Sequence, residues 1–403
     1  MRLRWLAAVV ATMLVTAGCG VFTRGANEPF RVSEPHSGSS PAGTAFGVLT
    51  GKYQPESVDL RHFDEARLLR KYWGGKLLAV AEIPQYVVKT FVKPNVILPM
   101  TTYLKDLSPS SFYPAVWSAG VESGTRYRLG GNVRVNLLIY NKGLFAKAGI
   151  TQIPTTWSAL TTDLHAVSNP GDAVLEVAPD AGFIESALLS NGGQLPRNAA
   201  PDAFDNSAGQ ETFSYFRGLA SQGLLKLSTD AQMESDMATG KVAVIAATSP
   251  TYDRVVKEAQ QNHISLGAFA IPAGSSGHTA NVVGGQEFAM FAHHTAATTQ
   301  QEWNFIQWLD APTQQAYYVS QTGYGPVGPQ VWSLVSQTTM DANPSLSVTQ
   351  AALSSPYTVS QPGVSGYGQV AAALGTAFAK AMSGQMSVSQ ALASVDAAVR
   401  SDL

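Results

Sequence analysis

The sequence predicts an α/β protein of two or more domains, and three observations carry that expectation. The chain has 403 residues, 45% of them hydrophobic, well beyond the ~100 to 200 residues that one domain commonly uses. From residue 76 onward, short apolar runs of strand length alternate with segments whose apolar residues recur at helical spacing, which is the α/β pattern. Two of those runs end on polar residues, Glu82 and Ser249, at the carboxyl ends of strands, where open α/β sheets hold their ligands.

At the N-terminus, Arg2 and Arg4 precede an apolar stretch at 5–15, followed by Thr16, Ala17, Gly18 and Cys19, the single cysteine of the chain. The arrangement looks like a bacterial lipoprotein signal: a basic start, an apolar core of about ten residues too short for a stable span, and small residues that admit a peptidase. Residues 1–18 are therefore expected to be a signal peptide. Cys19 is the expected lipidation site, anchoring the mature chain to the outer side of the cell membrane, with ordinary secretion or a buried structural cysteine as the rival readings. Residues 19–45 are poor in aromatics and rich in Gly, Ser and Pro, a composition expected to form a flexible tether.

The body reads in order as follows. The run at 77–81 is a buried strand, followed by Pro84 and a helix through Tyr86, Val87 and Phe91. Residues 137–140 form a second strand, with Asn141 opening a turn into a helix that Gly149 ends. Thr156 caps a helix whose apolar face is Trp157, Leu160 and Leu164, so Trp157 is assigned to the core. Further strands are expected at 242–246, 266–271 and 288–291, a helix with Trp303, Ile306 and Leu309 on one face, and two Ala-rich helices between 369 and 399.

Composition excludes several classes of function. Charged residues make up 13% of the chain, about half the ~25% of an average soluble protein. Lys+Arg at 26 against Asp+Glu at 28 leaves no basic footprint for nucleic acid. So few carboxylates suit an acidic habitat, because such a surface changes little as they protonate. Beyond the signal, no apolar run approaches the ~20 residues of a membrane span. The segment 323–328 matches G-x-G-x-x-G, but it follows a helix and Pro326 removes a donor, so it is rejected as a dinucleotide loop. His293 and His294, and the group Asp59, His62 and Asp64, are read as solvated faces and not as metal ligands. No H-E-x-x-H, G-x-S-x-G or P-loop occurs; no cofactor, metal or catalytic residue is expected.

Tyr127 to Asn132 leading into Leu138 to Phe145, then Pro154 to Trp157, Gly240 to Ala243, Val283 to Gly285 and Thr322 to Val327 appear in one order along the chain. In that series the chain resembles the extracellular solute-binding proteins of the family 1 type, receptors of ABC importers for sugars and polyols. The pieces around Gly284, Tyr324 and Glu82 are especially similar to the branch that binds glycerol-3-phosphate and its diesters. The resemblance implies a type II periplasmic-binding-protein-like fold, with two α/β lobes joined by a hinge and ligand held between them. It places the N-terminal lobe at 46–135 plus 270–328 and the C-terminal lobe at 136–269 plus 329–403. It also implies a small carbohydrate or polyol ligand, ABC permease subunits as partners, and a monomer that transforms nothing. A secreted glycan-acting enzyme and a non-transport scaffold are the alternatives. In two respects the chain departs from the family. The stretch from 46 to 76 is too short for the usual strand, long helix and strand, so the first lobe is expected to lack an opening strand and helix. The phosphate-binding branch has an arginine before its penultimate helix, where this chain reads 361–367 without one, leaving Arg134 as the possible substitute.

Ten residues are singled out for ligand binding. Glu82 accepts from ligand hydroxyls or is a solvated strand end. Asn132 and Arg134 enter the hinge as amide and forked donor, Arg134 with an interlobe salt bridge as its rival role. Ser249 closes a strand. Tyr324, Tyr367, Phe183 and Tyr252 offer rings to a sugar face, with core packing as the other reading. Gly284 and Gly285 let backbone approach ligand or form a tight turn.

Overall fold

The fold is known from a computed structural model that describes residues 30–55, 57–62, 68, 78–83, 88–92, 95–168, 174–196, 202–292, 294–362 and 366–402. The signal peptide and Cys19 lie outside the described residues. The first lobe opens with β1 (Phe30–Glu34), a helix (Pro41–Gly51), β2 (Val58–His62) and β3 (Val80–Ile83). A short hairpin of β4 (Val121–Glu122) and β5 (Thr125–Arg126) leads to β6 (Arg128–Arg134). The chain then crosses to the second lobe, which holds β7 (Asn136–Asn141), β8 (Leu175–Val177), β9 (Leu225–Leu227), β10 (Val244–Thr248) and β11 (Leu266–Ala270). It returns along β12 (Asn281–Met290), two helices (Ala296–Leu309 and Pro312–Thr322), a helix at Pro344–Ser354 and β13 (Thr358–Ser360). Two long helices, Tyr367–Met382 and Val388–Asp402, finish the second lobe.

Two sheets organise the lobes. The first runs β13-β12-β3-β1-β2, with β6 also on β12; the second runs β11-β7-β10-β8-β9. Both are buried on both faces, because alternate residues point to opposite sides. Val80, Phe288 and Met290 join one core, while Ala81, Ala289 and Phe291 join the other. In the second sheet Leu138 and Val244 face one way and Leu137, Ile139 and Ile245 the other.

Three expectations are corrected here. Residues 30–45 are not tether: Phe30 and Val32 are wholly buried in β1, and Ser40 caps the first helix by accepting the Gly43 N–H at 3.0 Å, with Pro41 in its first turn. Ser and Pro at that spot are helix-start chemistry, which in composition alone resembles a linker. It follows that the opening strand and helix are present, built from residues assigned to the tether. Finally, residues 329–354 do not belong wholly to the second lobe. Val331, Trp332, Leu346 and Leu353 enter the first lobe's core, and Trp332 Nε1 donates to the Tyr113 hydroxyl at 2.7 Å.

The hinge is held by paired amides. Between Arg134 and Asn136 the chain crosses through Val135, which is fully buried. The Asn136 N–H donates to Asn281 Oδ1 at 2.9 Å, and Asn281 Nδ2 returns a bond to the Asn136 carbonyl at 2.7 Å. Two crossing strands are thereby fastened side by side while the lobes on either side remain separate cores.

Candidate functional site

Three adjacent parallel strands end together in the first lobe. Glu34, the last residue of β1, is the register partner of His62 on β2, and Ser33 faces Ala81 on β3, which puts Glu82 beside Glu34. Side chains at matching register share a face, so two glutamates and a histidine converge at the carboxyl end of this sheet. Glu34 is held from both sides: His62 Nδ1 lies 2.5 Å from Oε1, and His36 Nδ1 lies 2.8 Å from Oε2. His36 Nε2 meets the Tyr324 hydroxyl at 3.0 Å. In the tautomer that gives Nδ1–H to the carboxylate, the other nitrogen accepts from the tyrosine hydroxyl.

Glu82 is neither solvated nor on the cleft surface. It is 5% exposed, its Oε1 accepts from Asn132 Nδ2 at 3.1 Å, and its Oε2 has no partner among the described residues. Burial first, and then the charge of Glu34, hold its carboxyl well above the usual range. Asn132 stands between Glu82 and the cleft, and its orientation is set by the Gln286 N–H, which donates to Oδ1 at 3.2 Å.

Among the described residues, the space between the lobes holds three adjoining cavities of about 340, 110 and 260 Å³, and Arg134 borders each of these. The largest is walled by His36, Asn132, Gly284, Gly285, Gln286 and Tyr324 from the first lobe and the crossing strands. The second brings in Asp180, Phe183, Asp230 and Arg254 from the second lobe. The third runs toward Gln361 and Tyr367. Arg134 is exposed and has no carboxylate within ion-pair distance among the described residues, so the interlobe salt bridge is not formed. Arg254, by contrast, is committed to Glu234, with Nε at 3.1 Å and 3.2 Å from its two oxygens. Asp230 is pushed up from the ordinary carboxylate range by burial and by Asp180, against the pull of Arg254 and Arg134.

Backbone shape makes room for this wall. Gly130 has φ +70, and a Cβ there would lie 1.6 Å from Asp310 Oδ2. That vacancy lets Asp310 accept the Gly131 N–H at 3.0 Å, and burial pushes the Asp310 carboxyl up to about 7. Gly284 and Gly285 are inside β12, not in a turn. Gly285 has φ +132, and a Cβ would sit 2.1 Å from the Asn132 carbonyl oxygen.

Of the ten singled-out residues, Asn132, Arg134, Gly284, Gly285, Phe183, Tyr324 and Tyr367 border the cavities, and Glu82 lies one layer beneath. Phe183 and Tyr367 are mostly core: Phe183 packs edge-on against Phe216, and the Tyr367 hydroxyl donates to Glu185 at 2.7 Å. Ser249 and Tyr252 are corrected. Ser249 is wholly buried at the hinge, where its N–H donates to the Val135 carbonyl at 2.9 Å and its own carbonyl accepts from Ser345 at 3.2 Å. Tyr252 lies in the core on the far face of the second sheet and donates to the Leu266 carbonyl at 3.2 Å. Glu34, His36, Asp180, Asp230 and Gln286 were not anticipated. His36 and Glu34 were hidden in the presumed tether, and a strand-like Phe-x-Val alternation at 30–32 is the one sequence signal that marks them.

Comparison with known proteins gives a consistent result. The profile of a family described as bacterial extracellular solute-binding protein matches residues 71–344. A protein of Brucella abortus (strain 2308) is 23% identical over 247 residues, and the match spans 59% of each of the two chains. The sn-glycerol-3-phosphate-binding periplasmic protein UgpB of Pectobacterium atrosepticum is 23% identical over 82% of this chain and 79% of its own. The cyclic alpha-maltosyl-1,6-maltose binding protein of Arthrobacter globiformis superposes with a TM-score of 0.79 at 18% identity, covering 92% of this chain and 98% of that one. UgpB of Mycobacterium tuberculosis, solved with glycerophosphocholine, superposes at 0.77 with 17% identity over 92% and 97%.

Proposed function

We propose, from the premise that this chain belongs to the bacterial extracellular solute-binding proteins, that it captures a small hydroxylated solute between its lobes and hands it unchanged to an ABC permease. The observation that carries the reading is Arg134. It is a guanidinium with no ion-pair partner among the described residues, set in the crossing strand and bordering all three cavities described between the lobes. A forked donor there reaches a ligand held by either lobe, and contact with both is what draws a hinge closed.

The wall favours a polyol or a glycerophosphodiester over a long sugar. Phe183, Tyr324 and Tyr367 are each more than nine-tenths buried, so they offer little flat face for a pyranose to stack on. Polar groups are set among the apolar lining: Asn132, Gln286 and Gln361 near Arg134, and Asp180 with Asp230 opposite. Arg134 across the cavity from two carboxylates suits a ligand with an anionic group at one end and hydroxyls or a cation at the other. A lipid on Cys19 would keep the receptor at the membrane; among the described residues no helix is long and apolar enough to cross one.

Calorimetry against mono- and oligosaccharides, glycerol-3-phosphate and glycerophosphodiesters tests this reading. Saturable heat without product formation is expected for the small polyols and diesters. Product formation would make the chain an enzyme, and silence across the panel would end the receptor reading.

A further inference from the structure

Beneath the solute cleft, the carboxyl ends of β1 and β3 present an arrangement that the capture of a polyol does not use. Glu34 and Glu82 are neighbours at matching register, and both are more than nine-tenths buried. Like charges side by side on a sheet repel, and while His36 and His62 flank Glu34, Glu82 has no cationic side chain within ion-pair distance among the described residues, a costly state for a buried carboxylate. Glu34, His36 and Glu82 each offer one donor atom, and the three atoms lie within 4.8 Å of one another. Two buried oxygens there have no hydrogen-bond partner among the described residues: Glu82 Oε2 and the Tyr318 hydroxyl. Tyr318 belongs to the same neighbourhood, since its ring packs 5.8 Å from that of Tyr324 and it feels the charges of Glu82 and Glu34. An unpartnered buried oxygen costs about 1 to 3 kcal/mol, and two at one spot call for a species that is not part of the chain.

We propose that Glu34, His36 and Glu82 form a binding site for a divalent first-row cation, Zn²⁺ foremost, at the floor of the cleft. The donor set is mixed: imidazole suits zinc and its neighbours, and carboxylates supply the compensating charge. His62, 2.5 Å from Glu34 Oε1, holds the carboxylate in place, as groups behind metal ligands commonly do. The ion has a route in, because His36 lines the largest of the three interlobe cavities, and its open positions would face a solute held there. This assignment does not depend on which solute the cleft takes.

The test is titration of the chelator-stripped chain with ZnCl₂, followed by calorimetry, with Mn²⁺ and Ca²⁺ in parallel. Saturable uptake of about one Zn²⁺ per chain is expected, weakened at least about tenfold in Glu82→Gln and in His36→Ala and unchanged in Cys19→Ser and His165→Ala. Since the two site variants could misfold, Co²⁺ bound to the unmutated chain provides a second readout: visible d–d bands of a nitrogen- and oxygen-ligated ion. No saturable uptake by the unmutated chain would overturn the proposal, leaving a proton on Glu82 to answer the repulsion. Binding that survives both site variants, or that disappears in Cys19→Ser, would overturn it equally.

Discussion

Asn132 Nδ2 donates to Glu82 Oε1 at 3.1 Å, while Asn132 Oδ1 takes the Gln286 N–H at 3.2 Å. One side chain thus joins β3 to the crossing strands β6 and β12 and keeps a buried carboxyl from losing its last partner. Asn132→Leu leaves both oxygens of Glu82 bare and the Gln286 N–H unmet. A loss of about 1 to 3 kcal/mol in urea denaturation is expected; an unchanged midpoint would mean that water replaces the amide at no cost.

Arg134 is the group on which capture turns. Arg134→Ala removes an exposed side chain with no ion pair among the described residues, so the melting temperature should hold. Affinity for the solute found in the calorimetric panel should fall at least about tenfold, the effect of losing roughly 1.4 kcal/mol. Arg134→Lys should recover only part of it, because an ammonium cannot grip with two parallel donors. Full affinity in the alanine variant would remove Arg134 from the site.

Gly285 carries the opposite expectation, with stability and not affinity lost first. Its φ of +132 and the Asn132 oxygen 2.1 Å from a would-be Cβ make Gly285→Ala a strained change that must push β12 from β6. A loss of about 1 to 3 kcal/mol is expected, with faster amide exchange confined to the β6–β12 pairing. A variant as stable as the parent would show that the strands separate freely.

Acid conditions should stabilise the protein through Glu185. It is wholly buried against Tyr367 and Gln361, and burial lifts its carboxyl from 4.5 to about 7. A carboxyl that binds its proton more tightly when folded stabilises fully below its unfolded value, and that contribution is lost as pH rises through the folded one. The window is therefore pH 4.5 to about 7, and at 1.36 kcal/mol per unit the contribution is on the order of 3 kcal/mol. Asp310, lifted to about 7, and Asp253, lifted to about 6, act in the same sense. Glu185→Gln carries no charge at any pH, so its stability should decline less steeply across that window than the parent's. Identical pH slopes for the two would refute the assignment.

Tyr252 gives a contrasting prediction, since its hydroxyl bonds the Leu266 carbonyl in the far core of the second lobe. Tyr252→Phe should cost about 1 kcal/mol of stability and leave solute affinity untouched. Weakened capture would return this ring to the cleft.

The apolar runs at 137–140, 242–246 and 266–271 appear as β7, β10 and β11, displaced by two residues at most, and the Thr156 cap forms as expected. These features were legible in the chain because burial on both faces writes continuous hydrophobicity, and a cap is a contact between residues three apart. Glu82, Asn132 and Tyr324 are singled out in the sequence and Glu34 and Asp310 are not, but no local mark says that the five converge. They meet because β1, β3 and β6 lie at particular registers and because Gly130 leaves space for Asp310. Ser249 stood at a strand's carboxyl end, as ligand residues often do, yet the helix at Pro344–Ser354 closes over it. Local pattern reports how deeply a segment is buried and with what period. Which distant side chains then face one another is decided by strand register and by the hinge crossing, interactions between segments far apart that no single stretch of sequence records.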